Sequence, residues 1–262
     1  MHPIPVSISL SSYGADYVRQ RGQEQFIDLL ARAGARRVEL REELFSCLPD
    51  PLALGAVIAA AGLDCVYSTP LELWAPDGLP DTRVTQKLHI AHELGAAAVK
   101  VSLGHYHTGC DLAALRELVP AQGPMLLVEN DQTSQGGRIA ALLAFFQRAD
   151  EAGLGVGMTF DIGNWQWQGE AVEQAASQLG RWVQYVHCKA VRQLADGRLA
   201  AAPPQVADLQ AWDRLLAQFS PGVVRAVEYP LVGDDLLQVT RDQVRHLAVL
   251  GLGARAEEVS HA

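Results

Sequence analysis

Met125-Leu126-Leu127-Val128-Glu129-Asn130 is a short apolar run that ends abruptly in a carboxylate. Three later stretches share this construction, and each closes with an acidic or imidazole side chain: Thr159-Phe160-Asp161, Gln184-Tyr185-Val186-His187 and Arg225-Ala226-Val227-Glu228. Four successive runs therefore end in Glu, Asp, His and Glu. Three carboxylates and one imidazole form a ligand set that divalent cations accept. Function therefore depends on whether these four side chains meet in the folded chain.

Short β-type runs alternate with helical stretches along the whole chain. The eight runs span residues 4–10, 37–40, 63–67, 97–103, 125–129, 156–161, 183–187 and 223–228. Strict alternation implies parallel strands with helical crossovers, and eight units in 262 residues fit a closed barrel better than an open sheet. Neither nucleotide-binding glycine fingerprint is present. We predict a single (β/α)8 TIM-barrel domain over residues 1–262, with 254–262 as a frayed tail.

Helices are predicted between these runs, and glycines end several of them. Their expected spans are 24–33, 50–61, 81–94, 112–118, 138–152, 171–179, 207–219 and 237–250. Residues 68–80 and 189–204 read as long loops without regular structure.

The alternation of side chains within the runs is consistent with a barrel. If the four terminal residues face inward, the period of two sends their apolar neighbours outward against the helices. The outward set is Val128, Phe160, Val186 and Val227. In the same phase, Glu39 and Lys100 would face inward.

The spacing places the four candidates on consecutive strands. The intervals between them are 32, 26 and 41 residues, each about one β/α unit. Neighbouring strands lie about 4.8 Å apart, and barrel active sites lie at the carboxyl ends of the strands. A single acidic residue there is more often a helix cap, but four in one phase are hard to attribute to chance. We predict one divalent metal ion (Mn, Mg, Co or Zn) bound by Glu129, Asp161, His187 and Glu228.

These strand-end motifs resemble those of the xylose-isomerase-like barrel superfamily of sugar isomerases and epimerases. The matching motifs are Glu-Asn at 129–130, Asp-x-Gly at 161–163, Val-His-x-Lys at 186–189, Glu-Tyr at 228–229 and Val-Glu-Leu at 38–40. More narrowly, residues 9–15 and 38–45 resemble the epimerases of bacterial 2-ketogluconate utilisation operons. The resemblance implies that Glu129 and Glu228 are both metal ligands and the acid–base pair. Proton removal next to a carbonyl and its return would then proceed through an enediolate, with Asp161 and His187 as ligands only.

Two positions depart from the superfamily pattern. Asn164 stands where a histidine is common, and Ala190 stands where an aspartate is common. Related DNA-repair endonucleases of this fold use such residues to hold a three-zinc cluster. Their loss argues against a nuclease and for one metal ion.

Five further residues are candidate substrate contacts at the barrel mouth: Glu39, Lys100, His105, Asn164 and Lys189. Lys100 could equally form an ion pair with Glu39 instead of contacting substrate. Lys189 could equally be a solvated loop residue. Loop histidines such as His105 are usually plain surface residues.

Composition limits the partners and the compartment. The formal net charge of −9 argues against nucleic acid or an anionic membrane as partner. The N-terminus lacks the basic start and apolar core of a signal peptide, and no window approaches the ~18 apolar residues of a membrane span. The cysteines are scattered, which predicts reduced thiols in the cytoplasm. The tryptophan-rich loop at 165–167 and the long loop at 68–80 favour a homodimer, although the sequence leaves the assembly open.

The function expected from these features is metal-dependent isomerisation or epimerisation of a small sugar or sugar acid. A lyase or dehydratase of a polyol or keto acid could use the same site, because loss of a β-hydroxyl can follow the same proton abstraction. A non-catalytic sugar-binding protein is the third hypothesis.

Overall fold

Eight parallel strands close into a barrel in the part of the chain that the structure, a computed structural model, describes, residues 3–252. The strands are β1 (Val6–Ser9), β2 (Arg37–Arg41), β3 (Asp64–Trp74), β4 (Ala98–Gly104), β5 (Met125–Glu129), β6 (Val156–Asp161), β7 (Val183–Cys188), β8 (Ala190–Gln193), β9 (Leu199–Ala202) and β10 (Val224–Val227). The barrel contains β1 to β7 and β10, in chain order, and β10 closes it against β1. The predicted (β/α)8 barrel is confirmed, whereas the predicted tail at 254–262 lies outside the described residues.

Helices connect the barrel strands and cover their outer faces. They are α1 (Ala15–Arg21), α2 (Ile27–Ala33), α3 (Pro51–Ala60), α4 (Arg83–Glu93), α5 (Leu112–Leu118), α6 (Ile139–Glu151), α7 (Val172–Leu179), α8 (Val206–Leu216) and α9 (Leu236–Val249). Helix α6 shows why they form, since its apolar residues recur every three or four positions and are buried. Helix α3 begins where the Asp50 carboxylate accepts from the Leu52 N–H at 3.0 Å. The sequence pattern did not predict α1, a polar helix with one buried residue, Val18.

The strands divide their side chains between two apolar layers. Val128, Phe160, Val186 and Val227 are fully buried in the main core, together with residues of the surrounding helices. A smaller cluster of inward-facing residues fills the barrel: Val66, Ala98, Leu127, Tyr185 and Ala226. The predicted alternation is therefore correct, and it leaves the ends of the strands free for polar side chains.

Strand β3 is longer than predicted and corrects the expected loop at 68–80. It continues to Trp74, and its register against β4 shifts between Ser68 and Glu72. Pro70 lies within this irregularity, where its missing N–H costs no ladder hydrogen bond. The expected run ended at Tyr67, whereas the strand continues through the register shift to Trp74.

The predicted loop at 189–204 also contains regular structure. Strands β8 and β9 form an antiparallel hairpin outside the barrel. Its turn contains Asp196-Gly197, with Gly197 at φ +85° and a 2.8 Å hydrogen bond from the Leu194 N–H to the Arg198 carbonyl. The Asp-Gly pair is a strong hairpin signal that the sequence did contain.

Gly104, at the end of β4, fixes the close approach of β3. Its φ is +72°, and a Cβ there would lie 2.5 Å from the Trp74 carbonyl oxygen. Gly95 has a similar φ of +65° but open space around it. We expect Gly95→Ala to lower the free energy of unfolding by about 1–2 kcal/mol, and Gly104→Ala to lower it by about 1–3 kcal/mol more because of the clash. Denaturant unfolding of both variants measures the difference, and equal losses would contradict this role of Gly104.

All four cysteines are free thiols, and Cys65, Cys110 and Cys188 are buried. Cys188 packs in the main core, on the opposite face of β7 from His187. No helix within residues 3–252 is long and apolar enough to cross a membrane.

Candidate metal centre

The four predicted ligands meet at the carboxyl ends of β5, β6, β7 and β10. Glu129, Asp161, His187 and Glu228 each offer one ligand atom, and these atoms all lie within 4.8 Å of one another. The strands are consecutive neighbours in the barrel, and Asp161 lies directly opposite His187 in the β6–β7 pairing. Their side chains are 0–11% exposed. The site is therefore a buried cup at the barrel mouth.

His187 lies at the centre of this cup. Its Nδ1 atom is 2.7 Å from Glu129 Oε1, 3.1 Å from Glu228 Oε2 and 3.8 Å from Asp161 Oδ2. Burial alone would lower the pKa of His187, but the facing carboxylates, Glu228 foremost, outweigh it and raise that pKa well above its usual value. The imidazole is thus held by negative charge on the side that faces the other ligands.

Asp161 presents a single oxygen to the cup. Its Oδ1 accepts from the backbone N–H groups of Gly163 and Asn164 at 2.8 and 2.9 Å, which fixes the turn after β6. The Asn130 side chain holds the Asp161 backbone through two further hydrogen bonds, of 2.8 and 2.9 Å. Burial raises the pKa of Asp161 to about 7, since Lys189 only partly offsets the loss of hydration. The carboxylate is therefore fixed with Oδ2 facing the Lys189 ammonium at 2.7 Å and His187 Nδ1 at 3.8 Å.

Three cations surround the ligand carboxylates. Lys100 pairs with Glu129, and Lys189 lies 2.7 Å from Asp161 and 3.0 Å from Glu228. Arg41 contacts the other oxygen of Glu228 at 2.7 Å. Burial raises the pKa of Glu129, but Lys100 and His187 together bring it down to about 2. The negative charge of the candidate ligand carboxylates is thus offset by buried lysine and arginine side chains.

Two buried atoms in the cup bear on whether a cation would fit it. Asp161 Oδ2 and His187 Nδ1 have no hydrogen-bond partner of acceptable geometry among the described residues. Each lies 2.7 Å from an oppositely charged group, Lys189 for Asp161 Oδ2 and Glu129 for His187 Nδ1, without a well-directed hydrogen bond, so each keeps the capacity for a further partner. A carboxylate oxygen and an imidazole nitrogen each offer a lone pair to a divalent ion. The oxygen-rich set without thiolate suits Mn²⁺, Mg²⁺, Co²⁺ or a non-structural Zn²⁺.

A second polar layer lies beneath His187. Glu39, from β2, is fully buried and places Oε2 2.7 Å from His187 Nε2. Tyr185 donates its hydroxyl to the same oxygen at 2.9 Å and lies 2.7 Å from Ser7 Oγ. The pKa of Tyr185 is raised well above its usual value by burial and by Glu39. Sequence reasoning did not single out Tyr185 or Ser7, although Tyr185 precedes His187 by two residues and so shares its inward phase.

No protein-family profile and no curated protein matches this sequence. Solved structures match it in fold. An L-ribulose 3-epimerase aligns with a TM-score of 0.69 at 18% identity, over 100% of this chain and 99% of that one. A D-psicose 3-epimerase from Clostridium cellulolyticum H10 gives 0.68 at 14% identity, over 94% and 99%. A xylose isomerase domain containing protein from Salmonella typhimurium LT2 gives 0.67 at 17% identity, over 95% and 99%. The chain has the xylose-isomerase-like barrel fold.

The candidate substrate contacts fall into different places. Lys100 and Lys189 reach the cup, with side chains 5% and 8% exposed, so Lys189 is not a solvated loop residue. The expected alternative partner of Lys100 was Glu39, but its ion pair is with Glu129. Glu39 lies below the cup, where its carboxylate is occupied by His187, Tyr185 and Arg41.

Asn164 and His105 lie away from the ligand atoms. The Asn164 amide donates to the Asn130 carbonyl at 2.9 Å, and its oxygen accepts from Gln132. The His105 side chain is 41% exposed and lies 3.8 Å from Glu72, on the loop after β4. Asn164 therefore braces the ends of β5 and β6, and His105 stands at the rim.

Proposed function

We propose that this chain is a divalent-metal-dependent isomerase or epimerase of a small ketose or sugar acid. The observation that carries the proposal is the convergence of Glu129, Asp161, His187 and Glu228 within 4.8 Å at the carboxyl end of the barrel. This is the end at which barrel enzymes place their catalytic residues. The names of two fold neighbours, both 3-epimerases of ketoses, support the same substrate class.

Glu129 and Glu228 are the acid–base pair in this proposal. They come from β5 and from the residue after β10, and each approaches His187 Nδ1 from its own strand, at 2.7 and 3.1 Å. One carboxylate removes a proton from the carbon next to the substrate carbonyl, and the other returns a proton to the opposite face or to the adjacent carbon. The bound cation supplies polarisation of the carbonyl and stabilisation of negative charge. Which face or carbon receives the proton decides between epimerisation and isomerisation.

The buried cations have a separate role. The enediolate of the substrate carries negative charge, and Lys189 and Arg41 are the positive groups next to Glu228. Donors fixed in advance toward developing charge stabilise it without reorganisation. Lys189 contacts two of the candidate ligands, Asp161 at 2.7 Å and Glu228 at 3.0 Å, and is therefore the better placed of the two to contact a substrate oxygen at the cup.

A product screen tests the proposed reaction. Protein loaded with Mn²⁺, Co²⁺ or Mg²⁺ is incubated in D₂O with ketoses and keto acids of four to six carbons, and products are identified by NMR. We expect a change of configuration or of carbonyl position, with solvent deuterium at the carbon that changes. The Glu129→Gln/Glu228→Gln double variant is the control, and it should leave the substrate unlabelled.

The same screen separates the alternatives. Loss of water from a substrate would identify a lyase, since elimination follows the same proton abstraction. Metal binding and sugar binding without any deuterium exchange would identify a non-catalytic binding protein.

A further inference from the structure

Among residues 3–252, Glu39 is a fully buried carboxylate that the proposed chemistry does not use. It extends inward from the middle of β2, and its side chain is 0% exposed. Its Oε1 accepts from Arg41 at 3.2 Å, while its Oε2 faces His187 at 2.7 Å and Tyr185 at 2.9 Å. No substrate reaches a carboxylate enclosed in this way, and its cost of burial requires a reason.

The two nitrogens of His187 have different surroundings. Nδ1 faces the oxygens of Glu129, Glu228 and Asp161, whereas Nε2 faces Glu39 alone among the described residues. A neutral imidazole carries one proton, on one nitrogen or the other. Both nitrogens face a carboxylate oxygen at 2.7 Å, so Glu39 alone does not select the tautomer of the ion-free ring. Once a cation takes the side of Nδ1, the Glu39 carboxylate accepts from the Nε2–H and holds the ring with the Nδ1 lone pair toward the cup.

Tyr185 and Arg41 in turn fix the Glu39 carboxylate. The phenol contacts Oε2 from within the barrel, and the Ser7 hydroxyl, 2.7 Å from that phenol, holds it in place. Arg41 occupies the other oxygen, so neither half of the carboxylate can rotate without breaking a contact. The order of contacts from Ser7 through Tyr185 and Glu39 to His187 makes one continuous path from the barrel interior to the ligand cluster.

We propose that Glu39 is a positioning residue that holds His187 as the Nε2–H tautomer and so directs Nδ1 toward a divalent cation. The inference rests on the proposed metal site. Outer carboxylates that accept from a ligand histidine commonly change metal affinity by about 10- to 100-fold when they are removed.

Calorimetric titration with Mn²⁺ tests this role through affinity. Glu39→Gln keeps the volume but replaces the carboxylate with a neutral amide, and we expect Mn²⁺ affinity to fall by about 10- to 100-fold. Glu42→Gln is the matched control, because Glu42 lies three residues further on and pairs with Lys87 instead of His187. The Mn²⁺ affinity of Glu42→Gln should stay within twofold of the wild-type value. An equal affinity for Glu39→Gln and the wild type would overturn the positioning role.

Long-range ¹H–¹⁵N spectra of the Zn²⁺-loaded wild type give a second readout that needs no Glu39 variant to fold. We expect the His187 resonances, assigned with His187→Ala, to show a proton on Nε2 and none on Nδ1. A proton on Nδ1 in the loaded protein would overturn the inference while leaving metal binding intact. If the wild type binds neither Mn²⁺ nor Zn²⁺, the proposed metal site itself fails, and the role of Glu39 with it.

Discussion

Glu228→Gln and Glu129→Gln are each expected to lower kcat on the substrate by about 10²- to 10⁴-fold, the usual contribution of a positioned acid or base. A glutamine keeps the shape of the side chain but cannot exchange a proton, and it is a weaker metal ligand. Steady-state kinetics at saturating metal measures the loss. If both variants retained full activity, the two-base mechanism would be wrong.

The two variants should differ in stability. Lys100 is 4% exposed, and its one ion pair within residues 3–252 is with Glu129. Glu129→Gln removes the contact ion pair of that ammonium and leaves only the more distant Glu39 carboxylate, and such a loss costs up to about 3–5 kcal/mol of unfolding free energy. When Glu228 is replaced, by contrast, its two cations keep other ion pairs. Lys189 still pairs with Asp161, and Arg41 still pairs with Glu39 and Glu43. Glu228→Gln should therefore be the more stable of the two in denaturant unfolding.

A compensated variant separates chemistry from folding. Lys100→Met removes the buried charge at similar volume, so Lys100→Met/Glu129→Gln should regain most of the stability that Glu129→Gln loses. Its kcat should remain low, because the carboxylate is still missing. A return of activity together with stability would mean that Glu129 serves folding and not proton transfer.

Asp161→Asn is expected to lower divalent-metal affinity by more than 100-fold, beyond the range for outer contacts. The asparagine oxygen can still accept from Gly163 and Asn164, so the turn after β6 persists. The amide nitrogen then replaces Oδ2, and it presents two protons where a lone pair was. Calorimetric titration with Mn²⁺ and Co²⁺ measures the change.

An exposed aspartate is the control for this substitution. Asp196→Asn changes the same charge on the β8–β9 turn, where Asp196 pairs only with Arg198 in the described part of the chain. It should leave metal affinity within twofold of the wild type. Unchanged affinity in Asp161→Asn would remove Asp161 from the ligand set, and thermal unfolding of both variants shows whether either has lost its fold.

The barrel and the convergence of the four candidate ligands follow from the sequence because both depend on local periodicity. Apolar runs with a period of two predicted which side chains face inward, and the intervals of 32, 26 and 41 residues predicted consecutive strands. Glu129, Asp161 and His187 are then expected to meet if the carboxyl ends of neighbouring strands lie at the same height along the barrel axis. The loop predicted at 68–80 is wrong because β3 continues through a register shift between Ser68 and Glu72, which a period of two does not predict.

The ion-pair pattern could not be predicted in the same way. Lys100 faces inward from β4, with Glu129 on the neighbouring strand β5 and Glu39 two strands away on β2, and the reach of the lysine side chain decides between the two carboxylates. Alternation also does not predict how deep in the barrel an inward side chain lies. Glu39 and Glu129 both face inward, yet Glu39 contacts the Nε2 side of His187 and Glu129 the Nδ1 side. That difference arises from the stagger of the barrel strands, which no single strand encodes.

Anomalous diffraction from crystals of the Mn²⁺-loaded wild type is the most direct test of the proposed metal centre. We predict one peak per chain at the mouth of the barrel, about 2.0–2.4 Å from one atom of each of Glu129, Asp161, His187 and Glu228. The ligand atom of His187 should be Nδ1. A saturated crystal with no peak there, or with the ion bound by other side chains, would contradict the central claim that these four strand ends form one metal site.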